Sequence, residues 1–213
     1  MNIPWLRMVA VSAVACCLSS WASAEDSHQN RFATIQLDGK KIGHVHYIVK
    51  HNELGELEEL KTRVSVSILG IKLYGFTQDL HEQWSGSELQ SLRGNTNDDG
   101  KIHVTTLKRT PTNYEANLND KPLTLPHDAF PISLWHYAIT TKSLLFDLTD
   151  LSLMQVEVSG HEDTVVRDGE TIETERFDFT GDWEGRVWFD QNKEFVKAEY
   201  VTNDRRVTIV MDP

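Results

Sequence analysis

"TRVSVSILGIKLYGFTQDLHEQW", residues 62–84, decides how the rest of this chain is read. Val64, Val66 and Ile68 share one parity, Ile71 and Leu73 share the other, and the change falls at Leu69 and Gly70. A period of two marks a strand with one apolar face, because successive side chains point to opposite sides of the pleat. A flip of that phase at a glycine reads as a bulge or sharp bend, as in sheets that curl toward closure. After the flip, Tyr74, Phe76, Leu80 and Trp84 fall on one face of a regular strand, and Gln78 and Glu82 share that face.

Outward from this stretch the chain repeats short strands around polar turns. "FATIQLDGKKIGHVHYIVK" (32–50), "NDDGKIHV" (97–104), "NLNDKPLTL" (117–125), "VVRDGETIETERFDF" (165–179) and "FDQNKEFVKAEY" (189–200) each set Asn, Asp or Gly between two strand-favouring runs. These residues tolerate the positive φ that tight hairpins need. Turns at such short intervals predict an all-β fold: a single domain over residues 25–213, built as a strongly curved antiparallel sheet or barrel-like meander. One segment breaks the rhythm, "LPHDAFPISLWHYAITTKSLLF" (125–146), where Pro131 suits a first helical position and Trp135, Ala138 and Ile139 follow at helical spacing. That spacing predicts one short helix of about two turns.

The N-terminus points to export. Residues 1–24 combine one positive charge at Arg7, an apolar run too short to span a bilayer comfortably, and the small residues Ala22, Ser23 and Ala24 of a cleavage signal. We read them as a removable secretory signal, which places the mature chain in the periplasm or outside the cell after cleavage near Ala24. An uncleaved anchor and a lipid-modified Cys16 are the alternatives; Ala13 stands where lipoprotein signals usually carry Leu. Both cysteines, Cys16 and Cys17, leave with this segment, so disulfides do not hold the remaining 189 residues together. Arg7 leaves too, and 20 basic residues then face 32 acidic ones, a charge of −12. Such a surface repels phosphate backbones and anionic lipid headgroups, so nucleic acid is excluded as a partner and a stable membrane anchor is not expected.

Catalytic motifs are thin. "WSGSEL" (84–89) places Ser85 and Ser87 around a glycine without the strand, sharp turn and long helix of a nucleophile elbow, and reads as a hairpin exit. Asp98 and Asp99 precede Gly100 and read as a turn rather than an acid/base pair. His44 and His46 lie on one side of a strand and could give two imidazoles to a metal. Their simpler place is the solvent face, opposite Val45, Tyr47 and Val49, and no metal or other cofactor is expected. Glu82 is the one candidate catalytic carboxylate: buried beside Trp84 and Phe76 it would become a weaker acid, suited to general-acid work. We place it instead at the rim, in water, where the strand bends or ends near His81. Tyr74, Phe76, Trp84, Trp135, His136 and Tyr137 are the candidates for lining an apolar ligand site in a curved sheet. The same rings can simply fill the interior, which is the usual outcome in small barrels.

Taken in order, "LDGKKIG" (37–43), "LGIKLYGF" (69–76) with "HEQW" (81–84), "TNDDG" (96–100), "LWH" (134–136), "LLFDLTD" (144–150), "RFDFTGD" (176–182) and "VWFDQNKEFVKAEY" (187–200) carry a resemblance. The chain resembles a bacterial family of exported β-rich proteins known only as a domain of unknown function. Members of that family often carry Asn after the Trp where this chain has His136. The resemblance implies export and an antiparallel β architecture, and brings no reaction, cofactor or catalytic residue with it. The expected function is that of a non-enzymatic periplasmic protein binding a lipid or other apolar or amphiphilic molecule, or serving as an envelope accessory. A glycan-active hydrolase or lyase using Glu82 is the alternative.

Overall fold

The computed structural model describes residues 28–52, 55–68, 71–202 and 204–213. Four long strands come first: β1 (His28–Leu37), β2 (Lys40–Asn52), β3 (Gly55–Ile68) and β4 (Ile71–Ser85). They are followed by β5 (Glu88–Asp98), β6 (Lys101–Arg109), β7 (Asn113–Leu118), β8 (Lys121–Pro126) and the two-residue β9 (Phe130–Pro131). After a 3-10 helix at Tyr137–Thr141 come β10 (Leu144–Phe146), β11 (Leu153–Arg167), β12 (Glu170–Gly181), β13 (Gly185–Asp190), β14 (Phe195–Thr202) and β15 (Arg205–Met211).

All fifteen strands form one sheet in the order β8 to β1, then β15 back to β9. Each half is a meander of sequential neighbours, and the halves join where β1 pairs antiparallel with β15, as at Ile35 with Ile209. The two edges, β8 and β9, are consecutive in the chain and only residues 127–129 separate them. So short a link holds the edges within roughly 10–15 Å of each other. The sheet therefore curls back on itself, yet β8 and β9 share no ladder. We call the strip between them the seam. The segment 132–143 leaves β9, reaches Tyr47 of β2 and Phe195 of β14 through Trp135, and returns the chain to β10, which lies parallel to β9.

The turns follow from their residues. Asp38 and Gly39 have φ of 50° and 79°, and Asp168 and Gly169 have 51° and 85°, the paired positive values of a two-residue hairpin. Residues 62–84, read above as one bending strand, are instead a hairpin. β3 and β4 are antiparallel neighbours with Ile68 opposite Ile71, and Leu69 and Gly70, where the phase flips, lie outside the described residues. Partners in such a ladder share a face, so a two-residue turn changes parity without changing face. A register shift does occur nearby, at Val66/Ser67.

The expected helix is also corrected. Pro131 belongs to β9, a turn closes from Ser133 O to His136 N, and the helix begins only at Tyr137, as a 3-10 turn capped by His136. The segment is pinned at its start by the bond from Ile132 N to Phe146 O, and no second α-helical turn forms.

The inner face is filled. Trp84, Tyr114, Phe146, Phe179 and Phe189 are its largest fully buried side chains. Each contributes on the order of 3 kcal/mol of transfer free energy. A second, smaller cluster lies on the outer face, where Val165 and Ile172 of the β11–β12 hairpin meet Trp188 and Val196. Val187 and Phe189 point inward and Trp188 outward, as alternation requires.

Candidate functional site

Strand β4 stays regular to Ser85 because it is paired on both sides: Glu82 faces Glu58 of β3 and Leu92 of β5 in register. The inward phase therefore continues through Leu80, Glu82 and Trp84, which are 2%, 0% and 0% exposed. Glu82 is not at the rim, as its place near a predicted strand end implied, but sealed inside. One carboxylate oxygen, Oε2, accepts from Trp84 Nε1 at 2.9 Å and from Ser133 Oγ at 2.9 Å. The other, Oε1, is buried and has no hydrogen-bond partner. Burial pushes the carboxyl up to about 7 against the pull of those two donors. An unsatisfied hydroxyl is cheaper to hide than an unsatisfied charge, so the acid is kept neutral in acidic solution.

Ser133 comes from the seam segment, and its neighbours there make the lid of the site. His136 lies on Trp84 with ring centroids 4.3 Å apart, its Nδ1 accepts from Ala138 N at 3.3 Å, and its Nε2 is 3.4 Å from Gly86 O. Phe130 tilts against Trp84 at 5.4 Å. Trp135 stacks on Tyr47 at 5.5 Å and meets Phe195 edge-on at 4.7 Å. The Tyr137 hydroxyl donates to Glu175 at 3.0 Å, Lys193 sits 4.9 Å over its ring, and burial raises its phenol. Trp135, His136 and Tyr137 are only half-buried, so the segment shows one side to the interior and one to solvent.

The structure divides the predicted ligand-lining residues into two groups. Trp135, His136 and Tyr137 stand on segment 132–143, and Trp84 packs against it through His136. Tyr74 and Phe76 lie at the other end of β4, on the order of 30 Å away at strand rise. There the Tyr74 hydroxyl donates to Asp98 at 2.7 Å, and burial together with that bond pushes its phenol well up. Between the two ends is a neutral polar layer, in which Gln78 donates to Thr96 at 3.1 Å and to Thr149 at 3.2 Å. His103 Nδ1 and Thr105 Oγ1 are buried in this layer without partners.

The other sequence candidates fall outside. His44 is exposed and His46 half-exposed, on the face opposite the buried Val45, Tyr47 and Val49. His46 stacks on Phe32 at 4.4 Å and its Nε2 lies 2.5 Å from Asn30 Oδ1. Among the described residues no group of three or more His, Cys, Asp or Glu gathers as metal ligands. Ser85, Gly86 and Ser87 form the exposed β4–β5 turn. Asp98 ends β5, and Asp99 takes φ of 50° in the next turn.

Sequence reasoning missed Ser133, although a lone serine inside "FPISLW" was the available signal. It also missed a partly open cavity of about 510 Å³ on the outer side. Phe32, Ile172, Val196 and Met211 supply apolar lining, and Arg31 and Arg167 stand at it. Arg31 pairs with Glu194 at 2.9 Å, and Arg167 donates to Met211 O at 3.3 Å. The lining comes from β1, β12, β14, β15 and the β11–β12 hairpin, so no linear pattern announces it. Phe195 also lines the cavity and touches Trp135, which links it to the seam segment. A shallower groove of about 690 Å³ crosses β5 to β7 beside Arg93 and Lys108.

A solved structure with this architecture is the β-barrel-like protein of the domain of unknown function DUF1849 from Brucella abortus. It aligns over 88% of this chain and 96% of its own with a TM-score of 0.61, at 11% sequence identity, a likeness of fold alone. The curated proteins contain no match. A family model does match, over residues 34–212, nearly the whole of the described sheet. The chain belongs to the family described as a domain of unknown function, DUF6134.

Proposed function

We propose that this chain is an exported, non-enzymatic protein of the cell envelope that binds an amphiphilic molecule in the outer cavity. The observation that carries the reading is the cavity itself: about 510 Å³, where Phe32, Ile172, Val196 and Met211 stand beside Arg31, Arg167 and the carboxylates of Asp190, Glu194 and Asp212. That volume falls within the range of small-molecule sites, roughly 300–1,000 Å³, and a wall that is part apolar and part charged suits an amphiphile. Export is supported by the signal-like residues 1–24, and the net negative surface argues against nucleic acid as the cargo. An accessory role in envelope assembly is the same reading with a larger amphiphile.

The test is to express the full chain with its leader, recover the processed protein from the envelope fraction, and examine an organic extract by mass spectrometry. Displacement of a fluorescent apolar probe is measured in parallel. The expected result is an N-terminus at Glu25, co-purifying lipid-like mass, and probe binding weakened at least tenfold by Phe32→Glu. Phe32 is 46% exposed, so the fold tolerates that change. An empty extract together with no probe binding would sink the proposal.

A glycan-active role for Glu82 keeps one supporting observation, a carboxyl raised to about 7, where a general acid works. It requires the seam to open, because the group is 0% exposed. Turnover of envelope glycans that survives Glu82→Gln unchanged would end that reading.

A further inference from the structure

We propose that protonated Glu82 is the latch that holds the seam segment 132–143 closed, and that loss of its proton frees Ser133 and lets the segment open. Three features of the structure converge on this. First, segment 132–143 lies outside the main meander and packs by side chains on strands distant from its own in the sheet order, Trp135 on Tyr47 and Phe195, and Tyr137 on Phe177 and Phe189. Second, a buried side-chain hydrogen bond ties that segment to the facing strand, and it runs from Ser133 to Glu82. Third, the carboxyl that receives it has one oxygen with no partner at 0% exposure, and its other donor is the buried Trp84, against which Phe130 packs.

A neutral carboxyl fits such a shell. A carboxylate does not, because its unpaired oxygen needs water or a donor, and the segment is what keeps water out. Among the ionisable groups nearby, His136 lies on Trp84, and Lys142 sits 5.3 Å over the Phe130 ring. On β3, Glu58 is the register partner of Glu82, and Glu56 is that of Trp84.

The sign follows from linkage. In the closed state the carboxyl sits at about 7, whereas in water it has its ordinary value of 4.5. Below pH 4.5 both states are protonated and closure is fully favoured. Above it the open state loses its proton first, and the closed-to-open ratio falls about tenfold per pH unit until pH 7, where it levels off. The segment is therefore shut in acid and loosened at neutrality. Because Trp135 touches Phe195, a wall residue of the outer cavity, opening is felt there, but the latch does not depend on what that cavity binds.

Hydrogen exchange on the whole protein tests it, with the amides of Ile132, His136, Ile139 and Lys142 as probes, since each is bonded within or beside the segment. Rates are corrected for intrinsic exchange and referred to the amides of β13 and β14. The expected result is protection that falls about tenfold per unit between pH 4.5 and 7 in the wild type and is flat in Glu82→Gln, which keeps both acceptor bonds without a charge. Flat protection in the wild type, or a slope that persists in Glu82→Gln, overturns the proposal. If that variant does not fold, carboxyl ¹³C titration of the wild type decides: a Glu82 midpoint near 7 supports the latch, and one near 4.5 removes it.

Discussion

Glu82 and the pair His103 and Thr105 are buried in the same interior, and both carry atoms without hydrogen-bond partners, yet they are built differently. The Glu82 carboxyl accepts from Trp84, against which Phe130 and His136 pack, and from Ser133 of a segment outside the main meander. His103 and Thr105 stand on β6, between β5 and β7, near the side chains of Thr96 and Gln78. Thr105 packs so closely over Gly94 that a methyl there would lie 2.3 Å from its hydroxyl. The difference teaches where an unsatisfied group is a cost and where it can act. Both regions stand on paired strands, but only Glu82 is bonded to a side chain of segment 132–143, so only there does a change of protonation have something to release.

The largest effect expected is from Trp84→Ala, which removes a fully buried ring and a donor to Glu82 together. It should destabilise the protein by about 3–5 kcal/mol in urea titration, and a loss below about 1 kcal/mol would mean the aromatic shell is not what isolates Glu82. Next is pH. With Glu82 raised from 4.5 to about 7, the wild type should lose about 3 kcal/mol of unfolding free energy as pH rises through that window, and Glu82→Gln should not. Asp38, Glu59, Asp163 and Glu194 are held below their ordinary range by their partners. They lose stability only as pH falls through the acid range, so they do not mask the trend. Equal pH profiles for the two proteins would erase the contrast between the regions.

Thr105→Val addresses the other region. Replacing an unpartnered hydroxyl by a methyl of the same shape should stabilise by about 1 kcal/mol, measured by the same titration. A loss of that size would show that the hydroxyl has a partner, most simply an ordered water. The smallest effect belongs to the exposed charges: Arg31→Met breaks a pair whose side chains are 30% and 43% exposed, and should cost about 0.5 kcal/mol at low salt and less at high salt.

Much of the sheet was legible locally. Asp-Gly and Asn-Asp pairs marked the hairpins because few other residues take two successive positive φ values. The parity of Tyr74, Phe76, Leu80, Glu82 and Trp84 gave the inner face of β4 from Tyr74 to Trp84. The reading failed where one pattern has two physical causes. A parity flip at Leu69 and Gly70 describes a bulge in one strand and a hairpin between two equally well, and only the partner strand distinguishes them. Pro131 followed by Trp135 and Ile139 fits an α-helix as well as a short strand, a turn and a 3-10 turn. The pin from Ile132 to Phe146 that selects the second is a contact across 14 positions.

By itself the sequence determined what depends on neighbours along the chain: strand alternation, turn chemistry, the signal-like N-terminus and the acidic surface. Tertiary structure decided what depends on closure. The pairing of β1 with β15 joins the two meanders into one sheet, and within it Ser133 reaches Glu82, 51 positions earlier in the chain. A carboxyl that strand position alone left at a watery rim thereby becomes a sealed, weakened acid, because desolvation is set by what lies over a group and not by what stands beside it in the chain.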